Sequence, residues 1–234
     1  MLILPFPIYD REKEAINVKI EQIELYISNY KETVSFYKNV LEFRCISENN
    51  IVTNFQTGSS VLTLHKAENH SYYYHFAFNI PPNLFNEAKR WIQQRISLAT
   101  EEGEDEVQFV ESKAKSFYFE DPAGNIVEYI ARETTAPATE EIFTPMHVVN
   151  ISEIGLTSQD IKKDIERIQK LGISSKNNEP ISYDQYLNFM GDYEDGVYII
   201  VAPVGRRWIF SNKKGIVAPI FIKTNRGIIN HSES

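Results

Sequence analysis

Three residues of different chemistry, Gln22, His75 and Glu128, fall in short runs whose side chains alternate between two faces, as in half-buried strands. In VKIEQIELYIS, Ile23, Leu25 and Ile27 make one apolar face, which sends Gln22, Glu24 and Tyr26 to the other. In YYYHFAFNI, Tyr74, Phe76 and Phe78 make the face that packs on a helix, which sends Tyr73, His75 and Ala77 opposite. In NIVEYIA, Val127 and Tyr129 oppose Ile126, Glu128 and Ile130. If the polar faces share one concave surface, an amide, an imidazole and a carboxylate line a single cleft. Such a set suits a divalent first-row metal with positions left open for substrate. Each residue alone has a plainer reading. A strand histidine is more often a hydrogen-bonded structural group, a glutamate is usually solvated or paired, and amides are uncommon transition-metal ligands. Glu24, Tyr26 and Tyr73 share the predicted cleft face and are candidates for acid–base catalysis. Their plainer readings are a surface carboxylate and two packing aromatics.

The elements that must position these residues recur in a fixed order. The first strand ends at Ser28. Asn29 can cap a helix with Glu32 three positions on, and Val34, Tyr37 and Leu41 follow at helical spacing. EFRCIS, NIVTNFQ and SVLTLHK then read as strands. The order β, α, β, β, β starts again at YYYHFAFNI. Pro81 and Pro82 open a helix whose apolar stripe is Leu84, Phe85, Ala88, Trp91 and Ile92, and EVQFVE, KSFYFE and NIVEYIA follow. Asp121-Pro122-Ala123-Gly124-Asn125 is a turn, with Pro fixing φ and Gly supplying the left-handed position. Residues 134–147 read as a linker. A third unit begins with ISEIGLTS. Its helix buries Ile161, Ile165 and Ile168 and stops at Gly172, and QYLNFMGD and VYIIVAP complete it. APIFIKT looks like the first strand of a truncated fourth unit. Periodic self-similarity of this kind decides architecture before any motif does.

Bulk properties exclude several classes. The net charge is −8 with no long basic run, which argues against a nucleic-acid partner. Cys45 is the only cysteine, so no intrachain disulfide forms and a reducing, cytoplasmic setting is expected. The apolar opening MLILPFPIY lacks a basic n-region and carries two prolines, so it is not read as a signal peptide. No stretch approaches the roughly 18 apolar residues of a membrane span. GRRWIFSNKKG is basic and aromatic; it reads as a solvated loop, with a grip on an anionic group as the alternative. The acidic run EEGEDE reads as a solvated loop and His65 as a surface histidine.

Three stretches, QIELYISNYKETVSFYKNVLEF, YHFAFNI and FYFEDPAGNIVEYI, resemble the vicinal oxygen chelate superfamily of glyoxalases, bleomycin and fosfomycin resistance proteins and extradiol dioxygenases. The resemblance covers residues 17–133 well and 148–224 by element order. It implies an α+β fold of repeated βαβββ modules, paired into a curved, barrel-like sheet with helices outside. Residues 1–133 would form one domain of two modules, 134–147 a linker, and 148–234 a third module with a truncated fourth, structural or oligomeric in role. It implies a divalent metal (Fe, Mn, Zn or Ni) on Gln22, His75 and Glu128, and a small-molecule substrate with vicinal oxygens. The alternative is a non-catalytic, antibiotic-like binding or resistance protein. The fourth ligand position of glyoxalase I corresponds here to Thr63, and dioxygenases carry His where Gln22 stands, so no subfamily is matched. In the third unit Glu153 corresponds to Gln22 and Ile200 to Glu128, so that unit is expected to lack a site. An incomplete pair leaves a sheet edge open, which favours a homodimer.

Overall fold

The computed structural model describes residues 17–133 and 138–231. The segment MLILPFPIY and residues 134–137 of the linker lie outside them. The fold is α+β, a curved but unclosed mixed sheet with its helices outside. The first unit comprises β1 (Ile20–Ile27), α1 (Tyr30–Ser35, continuing as a π-helical turn Phe36–Val40), β2 (Arg44–Glu48), β3 (Val52–Thr57) and β4 (Ser60–Lys66). The second comprises β5 (His75–Ile80), α2 (Phe85–Gln93), β6 (Val107–Phe109), β7 (Ala114–Glu120) and β8 (Ile126–Arg132). The third has β9 (Asn150–Ser158), α3 (Ile161–Lys170), β10 (Asn188–Met190) and β11 (Tyr198–Pro203). Beyond it, β12 (Ile220–Thr224) and β13 (Gly227–His231) form a hairpin. Among the described residues no helix is long and apolar enough to cross a membrane.

The pairing of units is nested. Strand β5 pairs antiparallel with β9, the first strand of the third unit, so units two and three share a half-sheet, β6-β7-β8-β5-β9-β11-β10. Strand β1 pairs antiparallel with β12, so unit one and the C-terminal hairpin share the other half, β2-β3-β4-β1-β12-β13. A single register pair, Ile20 with Ile151, joins the two. The third unit is thus woven between the first two.

Strand alternation behaves as its sequence dictates. Ile23, Leu25 and Ile27 are fully buried while Gln22, Glu24 and Tyr26 are half-buried. Phe76, Phe78, Val127 and Tyr129 enter the main core; Ala77 and Ile130 line the opposite face in a small cluster of their own. Helix α3 buries Ile161, Ile165 and Ile168. Asp160 caps it by accepting from the Lys163 amide at 3.0 Å, and Gly172 follows at φ +76°. The expected cap of α1 is absent. The Asn29 amide instead donates to the Pro122 carbonyl at 2.9 Å, tying the first helix to the turn before β8.

The β3–β4 turn is where unit one meets the start of the third unit. Gly58 there has φ +62°, and a Cβ would stand 2.1 Å from the Val149 carbonyl oxygen. Left-handed backbone alone costs an L-residue about 1–2 kcal/mol, and backbone on both sides of the clash must move. Gly58→Ala is therefore expected to lower stability by about 2 kcal/mol or more. Urea titrations check this; an unchanged midpoint would show that the turn gives way freely.

Candidate metal centre

The Asp121–Asn125 turn sets β8 against β5. Asp121 Oδ1 accepts the amides of Ala123 and Asn125, each at 2.9 Å, and Asp121 Oδ2 accepts the Tyr37 hydroxyl at 2.8 Å. Asn125 Oδ1 accepts the Tyr74 amide at 2.9 Å, which pins the residue before His75 to the residue before Ile126. The parallel register then pairs Ala77 with Glu128, two residues on. On the other side of β5, Ala77 pairs with Glu153 of β9. His75, Glu128 and Glu153 thereby meet on the concave face of the second half-sheet.

All three side chains are buried, and one donor atom from each lies within 4.8 Å of the others. His75 Nε2 is 3.5 Å from Glu128 Oε2 and 3.9 Å from Glu153 Oε2. The His75 Nδ1 stands 3.2 Å from the Ile126 carbonyl, which can only accept. That contact places the neutral ring's proton on Nδ1 and leaves the Nε2 lone pair facing the carboxylates. Arg132 forms a short ion pair with Glu153 Oε1 and also donates to Asn79 Oδ1 at 2.7 Å and Ser152 Oγ at 3.1 Å. The arginine orients Glu153 and leaves Oε2 turned to His75. Glu128 Oε1 is buried with no hydrogen-bond partner.

Burial, then the Glu153 charge, pushes the Glu128 carboxyl up to about 7. Burial opposes the charged form of His75, but Glu153 and Glu128 outweigh it and raise its pKa. Burial also opposes the Glu153 anion, yet His75 and Arg132 hold its pKa below the ordinary value.

An orphaned buried carboxylate oxygen, a histidine nitrogen fixed as an acceptor and a second oriented carboxylate could bind a divalent cation. Two carboxylates balance its charge, and ligands about 2.1 Å from a common ion lie roughly 3–4 Å apart. The donor spacing here is close to that range.

Of the residues expected from sequence to bind metal, the structure brings together His75 and Glu128. It does not bring Gln22. That side chain lies in the other half-sheet between β4 and β12, donating to Thr63 Oγ1 at 2.9 Å and Glu24 Oε1 at 3.1 Å. Its place beside the histidine and carboxylate is taken by Glu153, in the unit that was expected to lack a site. The physical reason is the pairing of β5 with β9 rather than with β1. By register Gln22 matches His75, Thr63 matches Glu128 and Phe221 matches Glu153, so the first half-sheet carries no equivalent donor set. Glu24 pairs with His65 Nε2 at 2.6 Å, and Tyr26 stacks on that imidazole at 4.7 Å. Tyr73 donates to the Lys214 carbonyl at 2.8 Å, and burial raises its pKa. None of Glu24, Tyr26 and Tyr73 lines the cavity described next.

A cavity of about 250 Å³ opens onto the three donors. Tyr118, Phe189, Tyr198 and Trp208 form its walls. The GRRWIFSNKKG segment, expected as a solvated loop, is its roof. Trp208 lies 4.9 Å from the His75 ring and Phe210 stacks on Tyr118 at 4.6 Å. Glu101, from the supposedly solvated acidic run, latches this roof by pairing with Arg207 and accepting the Phe210 amide. Gly155 makes room for Trp208: a Cβ there would sit 2.8 Å from the indole. The uninterrupted apolar triplet Trp208-Ile209-Phe210 between two basic pairs was the available signal of a buried face.

A family model for toxoflavin-degrading enzymes matches residues 151–206. No curated protein sequence matches the chain. Among solved structures, a proposed dioxygenase from Bacillus subtilis is 14% identical with a TM-score of 0.56, covering 90% of this chain and 83% of its own. A lactoylglutathione lyase from Agrobacterium tumefaciens is 20% identical with a TM-score of 0.41, covering 48% of this chain and 92% of its own. A Listeria monocytogenes fosfomycin resistance protein, solved with Mn(II) and a dihydroxypropylphosphonic acid, is 16% identical with a TM-score of 0.37, covering 48% of this chain and 86% of its own.

Metal-free protein has a definite pH response. Glu128 and His75 bind protons more tightly folded than unfolded, so their stabilisation is full below the unfolded values and is lost as pH rises, for Glu128 through about 7. Glu153 acts oppositely, but only as pH falls below its ordinary 4.5. The thermal midpoint of metal-free protein should fall between about pH 5 and pH 8, less so in Glu128→Gln. A midpoint that rises across this window equally in both proteins would contradict the assignment.

Proposed function

We propose that this chain, which has the fold of the vicinal oxygen chelate superfamily, is a metal-dependent enzyme acting on a small, flat substrate with adjacent oxygen donors. The observation that carries this reading is the convergence of His75 Nε2, Glu128 and Glu153 Oε2 around one point, with Glu128 Oε1 buried and unpaired. The family model for toxoflavin-degrading enzymes supports it. The matched residues 151–206 include Glu153 and the cavity residues Phe189, Tyr198 and Arg206.

His75, Glu128 and Glu153 would hold the ion. When bound, a divalent metal would act as a Lewis acid and stabilise negative charge developing on the substrate oxygens. Arg132 keeps Glu153 ionised and aimed, and the Ile126 carbonyl keeps His75 in its ligating tautomer. Tyr118 keeps its proton, because burial and the nearby Glu128 carboxylate raise its pKa well above the ordinary value. Its hydroxyl is thus a neutral donor on the cavity wall. Trp208 lies against His75 on the cavity wall, and Phe210 backs it by stacking on Tyr118. The aromatic walls favour a planar ring stacked between them.

Elemental analysis of untagged protein tests the reading. About one divalent ion per chain is expected. His75→Ala and Glu153→Gln should each weaken its binding by more than the roughly 10- to 100-fold that loss of an outer-shell partner costs, while Gln22→Ala retains it. Protein that binds planar ligands without metal would instead support a sequestering, resistance-type role. Metal that depends on Gln22 but not on Glu153 would overturn the ligand set.

A further inference from the structure

The cavity has a polar end that the metal centre does not use. Its lining carboxylates are Glu128 and Glu153 alone, both on the floor, and Glu153 is already paired with Arg132. Its lining also includes Lys176, Arg206 and Arg207. In a chain of net charge −8, with 32 acidic against 24 basic residues, three cations beyond Arg132 lining one cavity need a reason. Arg207 has one within the protein, its pair with Glu101. Arg206 and Lys176 do not. Neither joins an ion pair with a carboxylate among the described residues.

The Arg206 geometry is specific. Its Nη1 donates to the Arg207 carbonyl at 3.0 Å, which fixes the plane of the guanidinium. Its Nε is buried and has no partner. Nε and Nη2 form the edge of the fork that receives a planar two-oxygen anion side-on. Lys176 Nζ reaches Ser112 Oγ at 3.2 Å and sits 5.8 Å above the Phe189 ring, a cation held over an aromatic wall of the same cavity. A buried donor without a partner is costly when nothing arrives to satisfy it. The loop that carries Arg206 is tied down by backbone bonds, Arg206 N–H to the Pro203 carbonyl and Gly215 N–H to the Arg206 carbonyl. The backbone that carries the guanidinium is thus held in place beside the cavity.

We propose that the substrate is an aromatic acid, whose carboxylate is received by Arg206 and Lys176 while its adjacent oxygens face His75, Glu128 and Glu153. This rests on the metal-dependent reading of the same cavity and narrows it to an anionic substrate class. Arg206 and Lys176 are specificity determinants; neither touches the reacting oxygens.

The test compares 3,4-dihydroxybenzoate with catechol, the same ring without the carboxylate, by calorimetry on metal-loaded protein. Wild type should bind the acid roughly tenfold or more tightly than catechol, as expected of a charge-assisted contact, and the preference should shrink at high salt. Arg206→Met should abolish the preference and Lys176→Met should reduce it, with catechol affinity unchanged in both. Equal affinity for the two probes in wild type, a preference that survives both substitutions, or no binding of either probe at millimolar concentration overturns the proposal. Failure of the metal reading shows separately. If the protein holds no ion, yet the acid is still preferred through Arg206, the metal assignment falls and the anion site stands.

Discussion

The site depends on how β9 lies against β5. The pairing is antiparallel, and its register is interrupted: Ala77 faces Glu153, but the next pair is Phe78 with Ile151. One residue of β9 is therefore extra, and it is Ser152. Successive strand residues normally point to opposite faces, yet Ser152 and Glu153 both reach Arg132. A bulge does this by re-aiming one side chain without breaking the strand. A slip of one residue would turn Glu153 away from His75 and leave Arg132 buried without its carboxylate. The donor triangle, the arginine behind it and the floor of the cavity therefore rest on one local irregularity in one strand pair.

Most of the fold and part of the site are written in local pattern. Alternation in YYYHFAFNI and NIVEYIA assigns His75 and Glu128 to one face, and the repeat of βαβββ units is read from punctuation and periodicity alone. The third donor is not local. Gln22 and Glu153 occupy equivalent places on equivalent strands, and nothing within either strand states which of them will lie beside β5. That is settled by non-local pairing of whole units, where the nested order wins over the adjacent one. The roof was hidden for a different reason. Its basic residues suggest solvent, while Trp208 and Phe210 between them bury against Tyr118 and His75. The α1 cap failed for a similar reason: a tertiary contact holds the Asn29 side chain, whose Nδ2 donates to the Pro122 carbonyl, and its oxygen accepts no amide of the helix.

The two half-sheets are versions of one design with opposite outcomes. In the half with donors, two carboxylates share a buried place, and burial, then the charge of Glu153, raises the carboxyl of Glu128. In the other, Gln22, Thr63, Asn54, Glu24 and His65 satisfy one another through side-chain hydrogen bonds, and the position matching Glu153 is Phe221. A self-satisfied polar face is stable and inert; an unsatisfied one is poised for a ligand.

The nesting also orders events in time. All strands of the donor-bearing half lie between His75 and Pro203, whereas β1 must wait for β12, whose Thr224 pairs with Ile20 near the opposite end of the described chain. During vectorial synthesis the inner half has every partner it needs while the first unit still lacks one flank. Closing so long a loop is slow relative to pairing of neighbours. The unmatched flank of β1, with Ile20 and Leu25 awaiting Thr224 and Ile220, is then the surface that such a nascent chain must keep from pairing with another copy.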